Sequence, residues 1–464
     1  MNILSLIESF TNTFNEIFKT NFNPYNIEDQ IKSFGDNFTI NLLVKYLEEL
    51  DLKFKVSQER KNIYNVKETN ERTILTSIGY ITCKMTRYKN KETNKSYIFL
   101  REILNLKPYQ RMTDKAEFEL INYAKEENMS QAAKHAIRNT LVSRSTVSKK
   151  IKNAKGTIHE EIKKTDTQPD VLFIEMDEIH ANLQKGGNRV CPCAIVHEGH
   201  EESFAKRKKL KNIHYFATAK HSYLDLWHVI YDYVDKKYDI SKFKAIFVSG
   251  DGASGIKQYD EVFPNAIFVL DKFHYKKYLK YIFKQESDLM KLADDYIRNN
   301  NIEDFNKLVD LQIEKYPVQK KYMNTKRNYI TNNLEGIKNQ LNELYKCPCS
   351  MEGHVNCAYA RYITSSPYGF SMDGLENKLQ LLTIKANKHE ITFDEFLKFK
   401  YEPNEYGQII SNINKIQNLS RIHISEQETK KLYDINVSIP IFDENDINNF
   451  FRELTAQRNT IKYI

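Results

Sequence analysis

Apolar positions along the chain change their period several times, and each change marks an element. From Phe38 to Val56 the residues Leu42, Leu43, Tyr46, Leu47 and Leu50 recur on one helical face, and Leu4, Ile7, Phe10 and Phe14 are spaced the same way. Residues 1–62 therefore read as a helical N-terminal region. From Arg72 to Leu104 the chain turns β-branched and aromatic: ILTSIGYITCKMTRY, the polar turn KNKETNKS, then YIFL. That predicts a hairpin in a small β module at 63–112. Residues 113–168 return to helix, where Ser130-Gln-Ala-Ala-Lys and Ser145-Thr-Val-Ser-Lys-Lys-Ile each open on a capping serine, joined by a short turn. This is the spacing of a helix-turn-helix, with the second helix able to lie in a major groove and Lys149 and Lys150 near phosphates.

After a linker at 163–170 the order of elements becomes informative. Val171–Ile179, Val190–His197 and Ile213–Ala219 read as strands, the first two separated by a turn at Gln184–Asn188. Tyr223–Tyr238 is an amphipathic helix with Leu226, Val229, Ile230 and Val234 inward. Two more short apolar runs follow, Ala245–Val248 and Ala266–Leu270, bounded by glycines and Pro264 as buried strands of an α/β sheet are. Three strands, a helix and two further strands make the ribonuclease-H-like layout. The expected class is α/β, with that catalytic core at 169–275 and 346–390 and a polar, Lys- and Tyr-rich helical insertion at 276–345. Cys349–Ile363 resumes as a helix with Glu352 in its first turn. Residues 391–464 carry no usable motif.

Composition narrows the function classes. A chain of 464 residues implies two to four domains. The 69 Lys+Arg against 61 Asp+Glu leave a net charge of +8, which favours an anionic partner such as nucleic acid. Part of that excess follows from the joint abundance of Lys, Asn, Ile and Tyr. No run of 18 apolar residues is present and the N-terminus lacks a signal-peptide core, so a cytoplasmic, nucleoid-associated protein with no membrane partner is expected. Six cysteines are too few for a disulfide scaffold.

Three acidic residues stand out by position: Asp177 in the first strand of the core, Asp251 after the fourth, and Glu352 after the insertion. In the expected sheet the first and fourth strands are neighbours, and a helix packed across them brings all three carboxylates together. Such a cluster suits Mg²⁺, with Mn²⁺ as an alternative, because hard oxygen ligands hold the ions that drive phosphoryl chemistry at a DNA backbone. Strand alternation puts Glu175 on the face of Asp177, so Glu175 is a rival ligand. Taken singly, Asp251 in Gly-Asp-Gly reads as a turn former and Glu352 as compensation of a helix terminus.

The segments FIEMDEIHANLQ, VHEG, VSGDGASGIKQ, FVLDKFH and CSMEGHV resemble the ISLre-type insertion-sequence transposases, an Asp-Asp-Glu family, over about residues 72–369. The resemblance implies that Asp177, Asp251 and Glu352 form the triad. Asp271 and His274 look like the Asp-x-x-His element of Mutator-like transposases, which implies a supporting role near the cleaved strand. It also implies double-stranded DNA as partner, element ends and target alike, and a homo-oligomer that pairs two ends. Gly255 and Ser366 depart from the Trp and Arg usual at those places.

Two further patterns remain. Cys191-Pro-Cys193 and Cys347-Pro-Cys349 share a form, but zinc sites use wider spacing, so zinc is not expected. Lys206, Arg207, Lys208, Lys209 and Lys211 cluster between strands, and Lys272, Lys276, Lys277 and Lys280 alternate with Tyr275, Tyr278 and Tyr281 just after Asp271. Lysines interleaved with aromatics suit a DNA backbone track with base stacking.

Overall fold

The computed structural model describes residues 10–12, 14–15, 26–138, 140–153, 162–201, 209–284, 286–364, 369–402, 404–409 and 411. The expectations on Leu4, Ile7, Lys206, Arg207, Lys208, Ser366 and residues 412–464 lie outside them. The chain is mixed α/β, with two sheets, and divides into two compact units.

The first unit comprises residues 1–73, 82–109 and 408–464. Its helix α1 (Ile27–Val56) begins well before the predicted Phe38, and a short α2 (Gln58–Ile63) follows Ser57, which caps it by accepting from Arg60 N–H. Leu47, Leu50 and Phe54 are buried, while Tyr46, expected inward, is 46% exposed. Strands β1 (Tyr64–Thr76), β2 (Gly79–Asn90) and β3 (Ser96–Ile98) form a sheet in that order. The expected last strand YIFL is cut short, because Phe99 already opens helix α3 (Phe99–Ile103). Aromatic packing fixes that turn: Phe99 stacks on Phe54 at 4.3 Å and Tyr97 on Tyr64 at 4.7 Å.

The second unit, residues 74–81 and 110–407, holds the other sheet. Helices α4 (Asp114–Glu126), α5 (Met129–His135) and α6 (Arg144–Lys152) come first. Their caps are Asn128 and Ser143 rather than Ser130 and Ser145, and residues 136–143 separate α5 from α6. That connection is longer than the three or four residues of a helix-turn-helix turn, so the expected spacing is not met.

Strands β4 (Val171–Asn182), β5 (Asn188–His197), β6 (His214–Ala217), β7 (Ala245–Gly250) and β8 (Ile267–Leu270) assemble in the order β6-β5-β4-β7-β8. β5 is antiparallel to both its neighbours, while β4, β7 and β8 run parallel. Helix α7 (Tyr223–Lys237) covers one face, burying Leu226, Trp227, Ile230 and Val234 against Leu172, Ile174, Met176, Ile246 and Val248. Val229, expected inward, is 53% exposed, because the large Trp227 turns the buried stripe away from it.

A short α8 (Ser254–Lys257) follows β7. Helices α9 (Lys272–Ile282), α10 (Ser287–Arg298), α11 (Ile302–Lys315), α12 (Lys320–Asn332) and α13 (Leu334–Lys338) then form a helical block after β8, with a core that includes Leu279, Ile282, Phe305, Val309, Met323 and Ile330. The chain returns as α14 (Met351–Val355), one π-helical turn at Asn356–Ala360, and α15 (Arg361–Ile363). With α16 (Met372–Ala386) these cover the second face of the sheet through Met351, Val355, Tyr359, Leu375 and Leu379. Helix α17 (Phe393–Lys400) ends the described elements of this unit. Among the described residues no helix is long and apolar enough to cross a membrane.

Candidate functional site

Register places the aspartates. β4 pairs with β7 from Val171↔Ala245 to Glu175↔Ser249, and the same offset carried on by two residues puts Asp177 abreast of Asp251. β7 pairs with β8 up to Gly250↔Leu270, and Asp271 N–H continues the ladder onto Gly250 O at 2.8 Å, so Asp271 follows abreast of Asp251. Three aspartates thus stand side by side where β7 and β8 end and the parallel pairing of β4 stops, the edge at which open α/β sheets bind their ligands.

Their surroundings are electrostatically coupled. Burial pushes the Asp177 carboxyl above its ordinary value, and the charges of Asp251 and Glu352 push it further; the Glu178 N–H and His274 pull the other way. Asp271 is raised likewise, first by burial and then by Glu175 and Glu352, against the Phe273 N–H and His274. His274 Nε2 lies 3.8 Å from Asp271 Oδ2. The structure therefore brings Asp177, Asp251, Asp271, His274 and Glu352 to one edge.

Each aspartate holds one oxygen on a nearby backbone N–H and keeps the other. Asp177 Oδ1 accepts from Glu178 N–H at 2.8 Å, Asp251 Oδ1 from Ala253 N–H at 2.8 Å, and Asp271 Oδ1 from Phe273 N–H at 3.0 Å. Among the described residues no three His, Cys, Asp or Glu side chains are drawn in tightly enough to hold a metal ion as they stand. Like charges gathered at one edge repel one another, and the Glu178 and Phe273 N–H groups and His274 offset part of that repulsion. The donor set itself, carboxylate oxygens with a spare lone-pair face, suits a hard divalent cation such as Mg²⁺.

Glu175 is removed as a rival. It is 1% exposed and both of its oxygens are engaged. Oε1 lies 3.2 Å from His197 Nε2, while Oε2 accepts from Ser350 N–H at 2.8 Å and Ser350 Oγ at 3.2 Å. His197 Nδ1 accepts from Gly199 N–H at 3.1 Å, which leaves its proton on Nε2 to donate to Glu175. Glu175 thus ties the residue preceding α14 to β4, two positions before Glu352. Nothing in the local sequence distinguished Glu175 from Asp177; His197 in VHEG was the one legible sign of its partner.

Tyr329 is another residue that sequence reasoning missed. Its hydroxyl donates to Asp251 O, and the next turn of α12 brings Asn333 against Gly252. Gly255 also finds an explanation: a Cβ there would lie 2.5 Å from the ring of Tyr223. Tyr223 fills the room that a side chain at position 255 would need, and its hydroxyl donates to the Glu178 carboxylate.

The expected DNA contacts divide. Lys149, Lys272, Lys277 and Lys280 are exposed. Lys150 is instead bound to Glu117 at 2.6 Å and Lys276 to Asp294 at 2.9 Å. Tyr275 is fully buried, its hydroxyl donating to Asp294 at 2.5 Å. Of the basic cluster between strands, Lys209 and Lys211 are described, and Lys211 pairs with Glu198 at 3.2 Å.

The cysteines go to different partners. Cys191 and Cys193 are buried in β5, Cys347 Sγ lies 3.6 Å from His200 Nε2, and Cys349 Sγ lies 3.7 Å from Glu175 Oε2.

The profile of the family described as "Uncharacterised protein family (UPF0236)" matches residues 18–398. Three UPF0236 proteins of Caldanaerobacter subterraneus subsp. tengcongensis are each 28% identical over 407 residues, covering 86% of this chain and 85%, 85% and 86% of their own. The first is named for eleven loci of that organism and the second for four.

Proposed function

The chain belongs to the UPF0236 family, and from the geometry of its acidic edge we propose that this member is a metal-dependent DNA transposase of an insertion sequence. The observation that carries the reading is the placement of Asp177 abreast of Asp251 on adjacent parallel strands, with the helix that bears Glu352 tied over them through Ser350. The strand order β6-β5-β4-β7-β8, with only β5 reversed, supports a ribonuclease-H-like core. The relatives lend separate support: a protein named for eleven loci of one organism fits a gene carried by a self-spreading element.

In this reading Asp177, Asp251 and Glu352 hold Mg²⁺ or Mn²⁺. Bound there, such an ion would supply Lewis-acid activation of the attacking oxygen and neutralise charge on the phosphodiester. Asp271 orients His274, whose ring faces the same edge and donates an N–H to a phosphate oxygen. Two in-line displacements follow. Water attacks the phosphorus at the element end, giving a 3′-hydroxyl and a 5′-phosphate, and that hydroxyl then attacks a target phosphodiester, forming one P–O bond as another breaks. Lys149, Lys272, Lys277 and Lys280 contact the DNA backbone, and a homo-oligomer in the nucleoid pairs the two ends.

Incubating the protein with DNA bearing the sequences that flank its own gene, a supercoiled target and Mg²⁺ tests the proposal. Joined products support transposition. Cleavage without joining would point to a nuclease, and binding without cleavage to a DNA-binding protein that has lost the chemistry.

A further inference from the structure

Helices α9 and α12 pack side by side, sharing Leu279, Ile282, Met323 and Ile330 in one core. Between them they carry eight basic residues and no acidic one. Lys276 and Arg327 are neutralised by Asp294 and Asp310, at 2.9 and 2.6 Å. The others leave a positive surface that suits an anionic ligand.

A file of aromatic rings runs along this surface from the acidic edge. It begins where the Tyr329 hydroxyl meets Asp251 O. The Tyr329 ring meets Tyr278 edge-on at 4.5 Å, and Lys326 lies over both Tyr278, at 4.1 Å, and Tyr322, at 4.8 Å. Tyr322 in turn touches Tyr281 at 4.0 Å. Tyr281 and Tyr322 are 40% and 42% exposed, and Phe273 on the same side of α9 is 51% exposed. Rings held in place by their neighbours yet open on one side, with ammonium groups beside them, are what a nucleobase and its phosphate require.

We infer that Tyr281 and Tyr322 form a stacking site for the base of an unpaired DNA nucleotide, with Lys277, Lys280 and Lys326 holding the flanking phosphates. This deepens the transposase reading and rests on it for the identity of the DNA. Ten residues of helix separate Asp271 from Tyr281, about 15 Å at the helical rise. The stacked base therefore lies a few nucleotides from the cleaved phosphodiester.

The full-length protein is tested for binding to a labelled single strand of mixed sequence and to the matching duplex, without divalent ions, across a salt series. Tyr281→Ala and Tyr322→Ala are each expected to weaken single-strand binding by about tenfold, with the duplex much less affected. Tyr281→Phe and Tyr322→Phe, which keep the ring, should bind as wild type does. Lys326→Gln should lower the salt slope by about 0.7, one phosphate contact on a single strand. Single-strand binding unchanged in the alanine variants overturns the inference, as does an equal loss on duplex or an equal loss in the phenylalanine variants. Cleavage by wild type with Mg²⁺ separates the two readings. If the alanine variants lose binding while wild type never cuts DNA with Mg²⁺, the stacking site stands and the transposase reading falls.

Discussion

Glu175 and Ser350 are 175 positions apart in the chain, and the Ser350 N–H donates to Glu175 Oε2 at 2.8 Å. The contact fixes the start of the helix carrying Glu352 against the strand carrying Asp177. A buried carboxylate with both oxygens engaged is well suited to hold its neighbours in place.

Glu175→Gln tests that role. One atom of the new amide must be a donor, facing either the Ser350 N–H or the His197 Nε2–H, and His197 cannot switch tautomer without setting Nδ1–H against Gly199 N–H. A loss of about 2 kcal/mol in unfolding free energy is expected from a buried donor left unpaired. Cleavage should fall with it through weaker metal binding, so raising Mg²⁺ should recover part of the activity. Unchanged stability would remove Glu175 from this role.

Divalent ions should stabilise the fold through the acidic edge. Asp177 and Asp271 are both held above their ordinary range by burial and by neighbouring carboxylates, so bringing these charges together costs stability when nothing binds them. Melting followed with and without Mg²⁺ or Ca²⁺ is expected to show a rise in wild type. In Asp177→Asn the rise should shrink while the metal-free melting temperature stays level or increases. An equal metal-induced rise in the variant contradicts binding at this edge.

A pH dependence is expected from the first unit. Asp51 is buried in α1, accepts from Thr86 N–H at 3.1 Å, and is raised from 3.8 to about 6, chiefly by burial. The folded state therefore keeps a proton that the unfolded state has released between these values. Stability contributed by the protonated form is fully present below 3.8 and is lost as pH rises to about 6, by about 3 kcal/mol over the shift. Asp51→Asn should remove this slope and be the more stable protein above pH 6. Urea unfolding of the two proteins at several pH values checks it.

Gly252 should not tolerate a side chain. Its φ is +80°, and a Cβ would lie 2.6 Å from Asn333 Oδ1, a buried atom with no donor of its own. Gly252→Ala is expected to cost about 2 kcal/mol or more, from the left-handed backbone and the displaced amide together. Because Gly252 adjoins Asp251, cleavage should drop as well. A variant with wild-type stability and activity would show that this approach is not needed.

The strands of the larger sheet were legible because runs such as Ile246–Val248 are buried on both faces and so stay apolar throughout. The end of β4 was not, since His180 to Asn182 lie past the apolar run and become strand by pairing with β5. Asp251, Asp271 and Glu352 were singled out from their places at element ends, Asp177 from its place within the first strand, and His274 from its spacing after Asp271. Whether Lys150 and Lys276 are open to DNA was not legible, because Glu117 and Asp294 reach them from other helices. The helix-turn-helix spacing is not met for a local reason: α5 stops at His135 and α6 starts only after its cap Ser143, so residues 136–143 stand between them.

The most direct measurement is cleavage of end-bearing DNA with Mg²⁺ or Mn²⁺ by wild type and by Asp251→Asn, with DNA binding measured on the same preparations. The expected result is cutting by wild type and at least a hundredfold slower cutting by the variant at equal DNA affinity. Equal cutting by both proteins, or none by wild type while both bind alike, would contradict catalysis at this carboxylate edge.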